Sequence, residues 1–571
     1  MKRILAILMA VAMMMSIAGA FAEGVYPANL VENPEWWVKY DTEVPMSTNY
    51  SYSGLMIEQI PEGYALDDNT YFDWIKDVFN VDMQMKWNAE DTTTKLNLAM
   101  ASNDLPDIIH CSGTDLATLV NGNSIQPIDD LVDEYASPLV KYLLGQFQEA
   151  TGGSFLSAYT YGGHAYGIPT LADVWATTSG ATYIRKDIVE ELGYELPTSI
   201  EELEEIYAAY KEAYPEGTAI ALSSGDTGLG GIETAMYAAG AYPYKWVETE
   251  DGSLVYGSVA PEAKTGLEIL AKWYQNGWID KEFATNSSLN GQKFAAGDVL
   301  SEVAMWHIVW GDARNLAMNN PDAFVYALDP LTYEGNGGLW CTSNAFSVGA
   351  SCIAVSSACE HPEFLIYLTN LAWDSQFRNN LEIRELMEKE YGYTFVHPVT
   401  EVLDPINPEA APGGQIRPYS KEVGGPGYFD GWGGYEVHIP YNQGAYELVG
   451  QYKRIMENDA AGVELTKVDA DERAKYSDVS ENNWLCLTTN VTMFYKMVEE
   501  GRLITDKFAS SATPTAVEKG AYLSKLEAQA YVQIITGEKP LDYFDEFVNE
   551  WYTAGGEDWT EEVNAWYETT K

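Results

Sequence analysis

The chain carries 85 Asp and Glu, 17 Trp and 39 Tyr among 571 residues, and these are the residue types through which it can act chemically. Two carboxyl groups held on either side of a glycosidic bond hydrolyse it, and so many acids leave a secreted glycoside hydrolase open as a reading. Other catalytic signatures are missing from the sequence: no GxSxG elbow, no HExxH helix, no CxxC pair and no glycine-rich phosphate loop. The six His are scattered; His361 before Pro362 reads as a helix start and His307, between aromatics, as structural. Cys352 and Cys359 are candidates for a bridge. Asp469 and Asp471 have the spacing of a calcium loop, but Ala474 stands where an EF-hand requires glycine. No metal and no cofactor is therefore expected.

Charge narrows the function classes. With 33 Lys and Arg against 85 acids the formal net charge is -52, and no basic cluster exists that would approach a phosphate backbone, so nucleic acid is excluded as a partner. Five cysteines cannot form a disulfide framework, and an odd count leaves one unpaired. Stability must come from a packed core, for which 46% hydrophobic and 13% aromatic residues are ample. Lys2 and Arg3 precede an apolar run from Ile4 to Ile17, and Ala20-Phe21-Ala22 places small residues where a signal peptidase reads. Residues 1–22 are expected to be a signal peptide, because the apolar run falls short of the ~20 residues that span a bilayer. The protein is expected to be extracellular. Its first cysteine is Cys111, so there is no lipobox cysteine to carry a lipid anchor.

The elements that would position a site can be read from periodicity. Residues 23–44 form an irregular N-terminal segment, and irregular chain continues from Trp36 to Gly63. Tyr71 to Phe79 has helical spacing, Val81 to Trp87 alternates as a half-buried strand, and a helix with Leu96, Ala99 and Met100 on one face ends at Asn103. Leu105-Pro106-Asp107-Ile108-Ile109 opens the next strand, so the order is β, α, β, the signature of parallel strands. Thr198 and Glu201 form a capping box for a helix whose buried stripe is Ile200, Leu203, Ile206, Tyr207, Tyr210 and Tyr214. Leu267, Leu270, Trp273 and Tyr274 mark a helix closed by Gly277. Strands are expected at Val299 to Ala304, Phe346 to Gly349 and Ile353 to Val355, and helices from Phe364 to Trp373. A Gly/Pro-rich stretch near Pro405 to Pro440 reads as a functional or interlobe loop. The C-terminal third is helical, with Leu523, Leu526, Ala530 and Ile534 on one face and Gly537 as the stop.

Several segments carry a family resemblance in a shared order. Leu96 to Ile109 resembles a helix, "AS(G/N)DLPDI" turn and strand; Gly163-His164-Ala165-Tyr166-Gly167-Ile168-Pro169 resembles a "GKxYGIP" hairpin. Tyr183-Ile184-Arg185-Lys186-Asp187 with Leu192-Gly193 and Pro197-Thr198 is similar to a "lyiRKD…LG…PxT" run, and Ile535 to Pro540 with Phe544 to Val548 and Gly555-Gly556 matches the long subfamily. The family is that of extracellular solute-binding proteins of ABC importers, family 1, in the long carbohydrate-associated type of Gram-positive bacteria. Two departures stand out: the missing lipobox cysteine, and Trp484 to Pro514, which matches no pattern. The resemblance implies an α/β, two-lobed periplasmic-binding-protein-like fold of type II, each lobe a mainly parallel sheet flanked by helices, with extra C-terminal helices. Lobe 1 would hold 45–167 and 337–385, and lobe 2 would hold 168–336 and 386–571.

The function so implied is capture of a neutral oligosaccharide between the lobes and its delivery to the ABC permease, by a monomer without enzymatic activity. The same scaffold accommodates a peptide, and a surface adhesin is a third class. A sugar needs aromatic platforms for its C–H faces and planar polar groups for its hydroxyls, on loops at the carboxyl ends of parallel strands. Candidates on that reasoning are Ser112 and Asp115 after the Ile108 strand, and Asp173 and Trp175 after the hairpin. Trp306, Trp310 and Asp312 follow the Val299 strand, the two indoles four apart so as to share a helical face. Trp340 and Asn344 lie at the return into lobe 1; Asp430, Trp432, Tyr435 and Tyr441 lie in the Gly-rich stretch.

Overall fold

The computed structural model describes residues 36, 38–51, 75–76, 79–89, 92–150, 159–169, 180–225, 228–285, 290–342, 351–377, 381–393, 445–465, 467–508, 510 and 512–569. Two main sheets are built from strands that in chain order are β1 (Val44–Ser51), β2 (Val81–Ala89), β3 (Ile108–Ser112), β4 (Gly167–Pro169), β5 (Ala181–Arg185), β6 (Thr218–Ala221), β7 (Val299–Ala304), β8 (Val325–Ala327) and β9 (Ser351–Val355). The helices used below are α1 (Thr92–Ser102), α2 (Gly113–Asn121), α3 (Ile200–Ala213), α4 (Glu233–Ala238), α5 (Pro261–Gln275), α6 (Glu363–Phe377), α7 (Glu481–Glu499) and α8 (Pro514–Ile535). The described residues fall into two compact units. The first takes those within Met1–Asp173, Phe346–Glu447 and Ala509–Ala512; the second takes those within Val174–Ala345, Leu448–Phe508 and Thr513–Lys571.

In the first unit the sheet order is β2-β1-β3-β9-β4. β1 pairs parallel with β2 and β3, while β9 is antiparallel to both β3 and β4, so four strands share a direction and β9 alone opposes them. The second sheet, β8-β5-β7-β6, repeats the plan: β7 and β6 are parallel, β5 is antiparallel to β7 and β8, and β5 alone is reversed. In each unit the reversed strand is the first described strand after the chain first crosses in from the other unit, past Val174 for β5 and past Phe346 for β9. Both sheets are mainly parallel in direction, with one strand of opposite sense inserted.

Successive side chains of a strand point to opposite faces, and the first sheet uses both. Ile108, Ile353 and Val355 join Val44, Val81, Phe364, Leu368 and Trp373 in one core, against α6. Ile109, Cys111, Cys352 and Ala354 join Leu96, Leu116 and Leu119 in another, against α1 and α2. Cys352 therefore cannot reach Cys359, which packs in the first of these cores. The expected Cys352–Cys359 bridge is corrected: none of the five cysteines, all buried, is in a disulfide, and Cys352 faces Cys111 with the sulfurs 3.7 Å apart.

The strand β1 lies inside the stretch read from sequence as irregular, and polar residues hide it. Thr48 and Asn49 are fully buried. Asn49 donates Nδ2 to the His110 carbonyl at 2.9 Å and accepts the His110 amide at 3.0 Å, so a side chain completes the β1–β3 join that backbone pairing leaves short. Ser47 adds two bonds to Asp107 Oδ2, at 2.8 and 2.7 Å. A further correction concerns the cap of α3. Ser199, not Thr198, is the N-cap, with its hydroxyl accepting the Glu202 amide; Glu202 in turn accepts from the amide and hydroxyl of Thr198. Burial of Ile200 fixes the helix phase, and the box slides one residue to suit. Tyr214, expected in the buried stripe, is the C-cap of that helix.

In the second unit, Leu267, Leu270 and Trp273 of α5 are buried, and so are Leu523, Ala530 and Ile534 of α8. The unmatched segment from Trp484 resolves into α7 and the strand Leu503–Thr505. No described helix is long and apolar enough to cross a membrane. The sequence readings for Phe346 to Gly349, for Pro405 to Pro440 and for most of Tyr71 to Phe79 lie outside the described residues.

Candidate functional site

A cavity of about 320 Å³ opens in the second unit at the end of its sheet where β6 and β7 finish and β5 begins. Gly180, Ala304 and Met305 supply the sheet side, and Gly230 to Glu233, Tyr237, Tyr244, Lys245, Trp340 and Cys341 close it. The carboxyl ends of parallel strands are where open α/β sheets place ligands, because backbone groups and loop side chains converge there. The volume sits at the small end of the roughly 300–1,000 Å³ of small-molecule sites.

The loop after β6 makes this convergence possible. Gly231 has φ +86°, and a β-carbon there would stand 2.4 Å from the Ala221 carbonyl, so only glycine lets the chain turn this close to the strand end. The turn delivers Glu233 to the first position of α4, whose carboxyl accepts from its own amide and that of Gly231. Its Oε2 has no hydrogen-bond partner. Burial raises the Glu233 pKa above the ordinary carboxylate range, opposed by those amides and by the positive charge of Lys245.

The aromatic walls are fixed in place. Trp340 packs edge-on against Tyr237 with ring centroids 5.0 Å apart, and Tyr237 donates its hydroxyl to the Cys341 carbonyl at 3.1 Å. Gly180 makes room for the indole, since a β-carbon there would come within 3.0 Å of Trp340 Cζ2. The strand Trp340–Thr342 pairs in parallel with Leu503–Thr505, which holds the ring from behind. Tyr244 accepts the Leu229 amide on its hydroxyl at 2.8 Å and donates its own amide to Ser258 Oγ at 2.8 Å. Behind Lys245, Asp506 accepts the amides of Trp246 and Phe508, and burial pushes its pKa up to about 6. Rings held rigid around one carboxyl and one ammonium can stack on an apolar face and hydrogen-bond the polar rim beside it.

Of the residues singled out from sequence, Trp340 lines this cavity. Ser112 and Asp115 belong to the first unit, at the carboxyl end of β3, where they form the capping box of α2: Ser112 Oγ is 2.7 Å from Asp115 Oδ2 and accepts the Asp115 amide. Their polar groups are engaged with each other. Trp306 and Trp310 occupy a 3₁₀ turn, Trp306–Trp310, rather than an α-helix, which corrects the shared-face expectation: Trp306 is buried and Trp310 is 47% exposed. The rings still touch, 4.5 Å apart at 73°, and Trp310 Nε1 donates to the Tyr476 hydroxyl. Asp312 opens the helix Asp312–Asn319 and lines a separate groove with Gln292, Asn315 and Asn319. Asp173, Trp175, Asn344, Asp430, Trp432, Tyr435 and Tyr441 lie outside the described residues.

Glu233, Tyr237, Tyr244 and Lys245 were missed by sequence reasoning. The signal available was Gly230-Gly231 placed soon after the Thr218 to Ala221 strand, a tight turn that brings the next acid to a strand end. Asp469, weighed as a calcium ligand, is buried and held in a two-point contact by Arg454, at 3.0 and 2.6 Å. Among the described residues no group of three or more His, Cys, Asp or Glu is placed to hold a metal ion.

Comparison with known proteins places this geometry. Residues 76–370 match the sequence model described as bacterial extracellular solute-binding protein. The fructooligosaccharide ABC transporter substrate-binding protein FusA of Streptococcus pneumoniae is 27% identical over 208 residues, which span 34% of this chain and 38% of that protein. Solved structures align over nearly their whole length. FusA of S. pneumoniae in complex with kestose is 16% identical with a TM-score of 0.58, covering 92% of this chain and 99% of that one. The alginate-binding protein AlgQ2 is 14% identical with a TM-score of 0.60, covering 93% and 99%. An HMO-binding, ABC-transporter-associated solute-binding protein from Bifidobacterium longum infantis is 13% identical with a TM-score of 0.60, covering 92% and 99%. At these identities the likeness is one of fold, the type II periplasmic-binding-protein-like α/β architecture expected from the sequence. With more than half of its length matched by the family model, the chain belongs to the bacterial extracellular solute-binding protein family.

Proposed function

We propose that this protein is an exported, non-enzymatic substrate-binding protein that captures an oligosaccharide and delivers it to the permease of an ABC importer. The observation that carries the reading is the cavity at the end of the second sheet, where the Trp340, Tyr237 and Tyr244 rings surround the Glu233 carboxyl and Lys245. Rings with a few planar polar groups are what a sugar's C–H faces and hydroxyl rim require. FusA, a fructooligosaccharide transporter substrate-binding protein, and the HMO-binding Bifidobacterium protein support the substrate class. Closure of two lobes on the sugar, export through residues 1–22 and a monomeric state belong to the same proposal.

The test is a thermal-shift panel of oligosaccharides on the mature protein, with chromatography of each mixture. Expected are a raised melting temperature with at least one oligosaccharide, compaction in solution scattering, and the sugar recovered intact. Trp340→Ala should weaken that binding at least about tenfold, the order of one lost ring contact. Consumption of the sugar would replace this reading with the hydrolase; no response to any sugar would end it.

A further inference from the structure

The cavity holds one group whose chemistry its neighbours do not use up. Glu233 is partly buried and lines the cavity, and its Oε2 is enclosed without a hydrogen-bond partner. An enclosed carboxyl oxygen left unpaired costs free energy that a suitable donor recovers. The last torsion of a Glu side chain is soft, so a small turn of the carboxyl exchanges the oxygen that faces the cavity. Among the described lining residues there is one ammonium, that of Lys245, and two carboxyls already draw on it: Glu233 at the start of α4 and Asp506, just past the Leu503–Thr505 strand. The remaining lining is aromatic, aliphatic or backbone, with the Cys341 thiol pushed up to about 12 by burial and so uncharged.

We propose that Glu233 is the specificity-determining residue of this cavity, selecting an uncharged, hydroxyl-bearing sugar unit and rejecting a uronic-acid unit. The inference rests on the oligosaccharide-binding function proposed above and adds the class of sugar. A sugar hydroxyl both donates and accepts, so it satisfies the Glu233 carboxyl in either protonation state. A uronate brings a second carboxylate to a site whose ammonium is already shared, and two carboxylates in one enclosure cannot both stay ionised without a large penalty. Burial already disfavours the charged form of Glu233, and a second carboxylate beside it adds to that cost.

The experiment is calorimetric titration of the mature protein at pH 7 with two sets of probes of equal length. One set is neutral trisaccharides, among them kestose and maltotriose; the other is trigalacturonic acid. Wild type should bind a neutral trisaccharide at least about tenfold more tightly than the uronate, the discrimination expected when two carboxylates meet. Glu233→Gln, which keeps the shape but cannot ionise, should tighten uronate binding by about tenfold or more and shrink the discrimination ratio through that gain rather than through loss of neutral binding. Glu233→Ala should lose neutral binding. Lys245→Met tests the opposite assignment, in which the ammonium receives a uronate: if wild type prefers the uronate and K245M loses that preference, the proposal is overturned. A ratio unchanged in E233Q, with neutral binding intact and the melting temperature preserved, overturns it equally. Failure of wild type to bind any sugar ends the oligosaccharide reading itself, and is distinguished from these two results by the wild-type titrations alone.

Discussion

Glu527 offers the sharpest perturbation of this fold. It sits in the middle of α8, is fully buried, and has no hydrogen-bond partner of good geometry for either carboxyl oxygen, with the hydroxyls of Ser258 and Tyr256 as polar neighbours. Burial pushes its pKa up from 4.5 to about 8, partly offset by those hydroxyls. The folded chain therefore holds a proton on Glu527 across a range in which the unfolded chain has released it. Between pH 4.5 and about 8 the native state binds more protons than the unfolded state, so stability from this residue is greatest below 4.5 and falls as pH rises, levelling off above 8. Each pH unit in that window costs ~1.4 kcal/mol, which makes the loss on the order of 3 kcal/mol by pH 7 and 5 kcal/mol in all.

Glu527→Gln removes the titration while keeping the shape. Chemical denaturation of both proteins from pH 4.5 to 9 isolates the effect, because the other carboxylates cancel in the difference between the two curves. The variant should match wild type near pH 4.5 and be progressively more stable above it, the gap reaching about 3 kcal/mol at pH 7. Parallel curves across the whole range would show that Glu527 reaches water or a partner when folded, and the reasoning from burial would be wrong.

Three further substitutions probe what holds each unit together internally. Gly257→Ala would place a β-carbon 2.0 Å from the Tyr242 carbonyl, a backbone atom that cannot swing aside; a loss of about 3 kcal/mol or more is expected in denaturant titration, and a change below about 1 kcal/mol would refute the close approach. Asn49→Leu keeps the branching of the side chain but strips both bonds to the His110 backbone inside the first sheet. It should cost about 2–4 kcal/mol and Ser47→Ala, at a half-buried site, about 1 kcal/mol; equal effects would mean that Asn49 is not the join between β1 and β3.

How much of this could be read from the residues follows from where each polar group goes. The alternation of Val81 to Trp87, the Ile200 to Tyr210 stripe and the Val299 to Ala304 run all declare themselves, because apolar side chains at regular spacing have one economical destination. β1 does not, since Ser47, Thr48 and Asn49 look like loop residues until Asp107 and His110 are seen to satisfy them. The capping box was legible but its register was not: Thr198 and Ser199 are equally good caps, and only the burial of Ile200 decides between them. Cys352 and Cys359 looked like partners by spacing alone, whereas the two faces of one sheet separate them and pair Cys352 with Cys111, distant in sequence.

The cavity shows the same limit more sharply. Trp340 could be named from its position, but Glu233 and Glu527 are indistinguishable in sequence, two of 85 acids on helices with apolar neighbours. Both are shielded, and burial raises the pKa of both. What separates them is three-dimensional: the turn at Gly231 carries Glu233 to a strand end with open volume before it, while Glu527 is packed on all sides within the second unit. A carboxyl facing a cavity can recover its desolvation cost from a ligand, and one sealed in a core cannot. Replacement by glutamine should therefore part the two residues: E527Q raises stability and leaves sugar binding unchanged at pH 7, whereas E233Q shifts which sugars bind. Were both variants to change stability alone, the cavity would be a packing defect rather than a site.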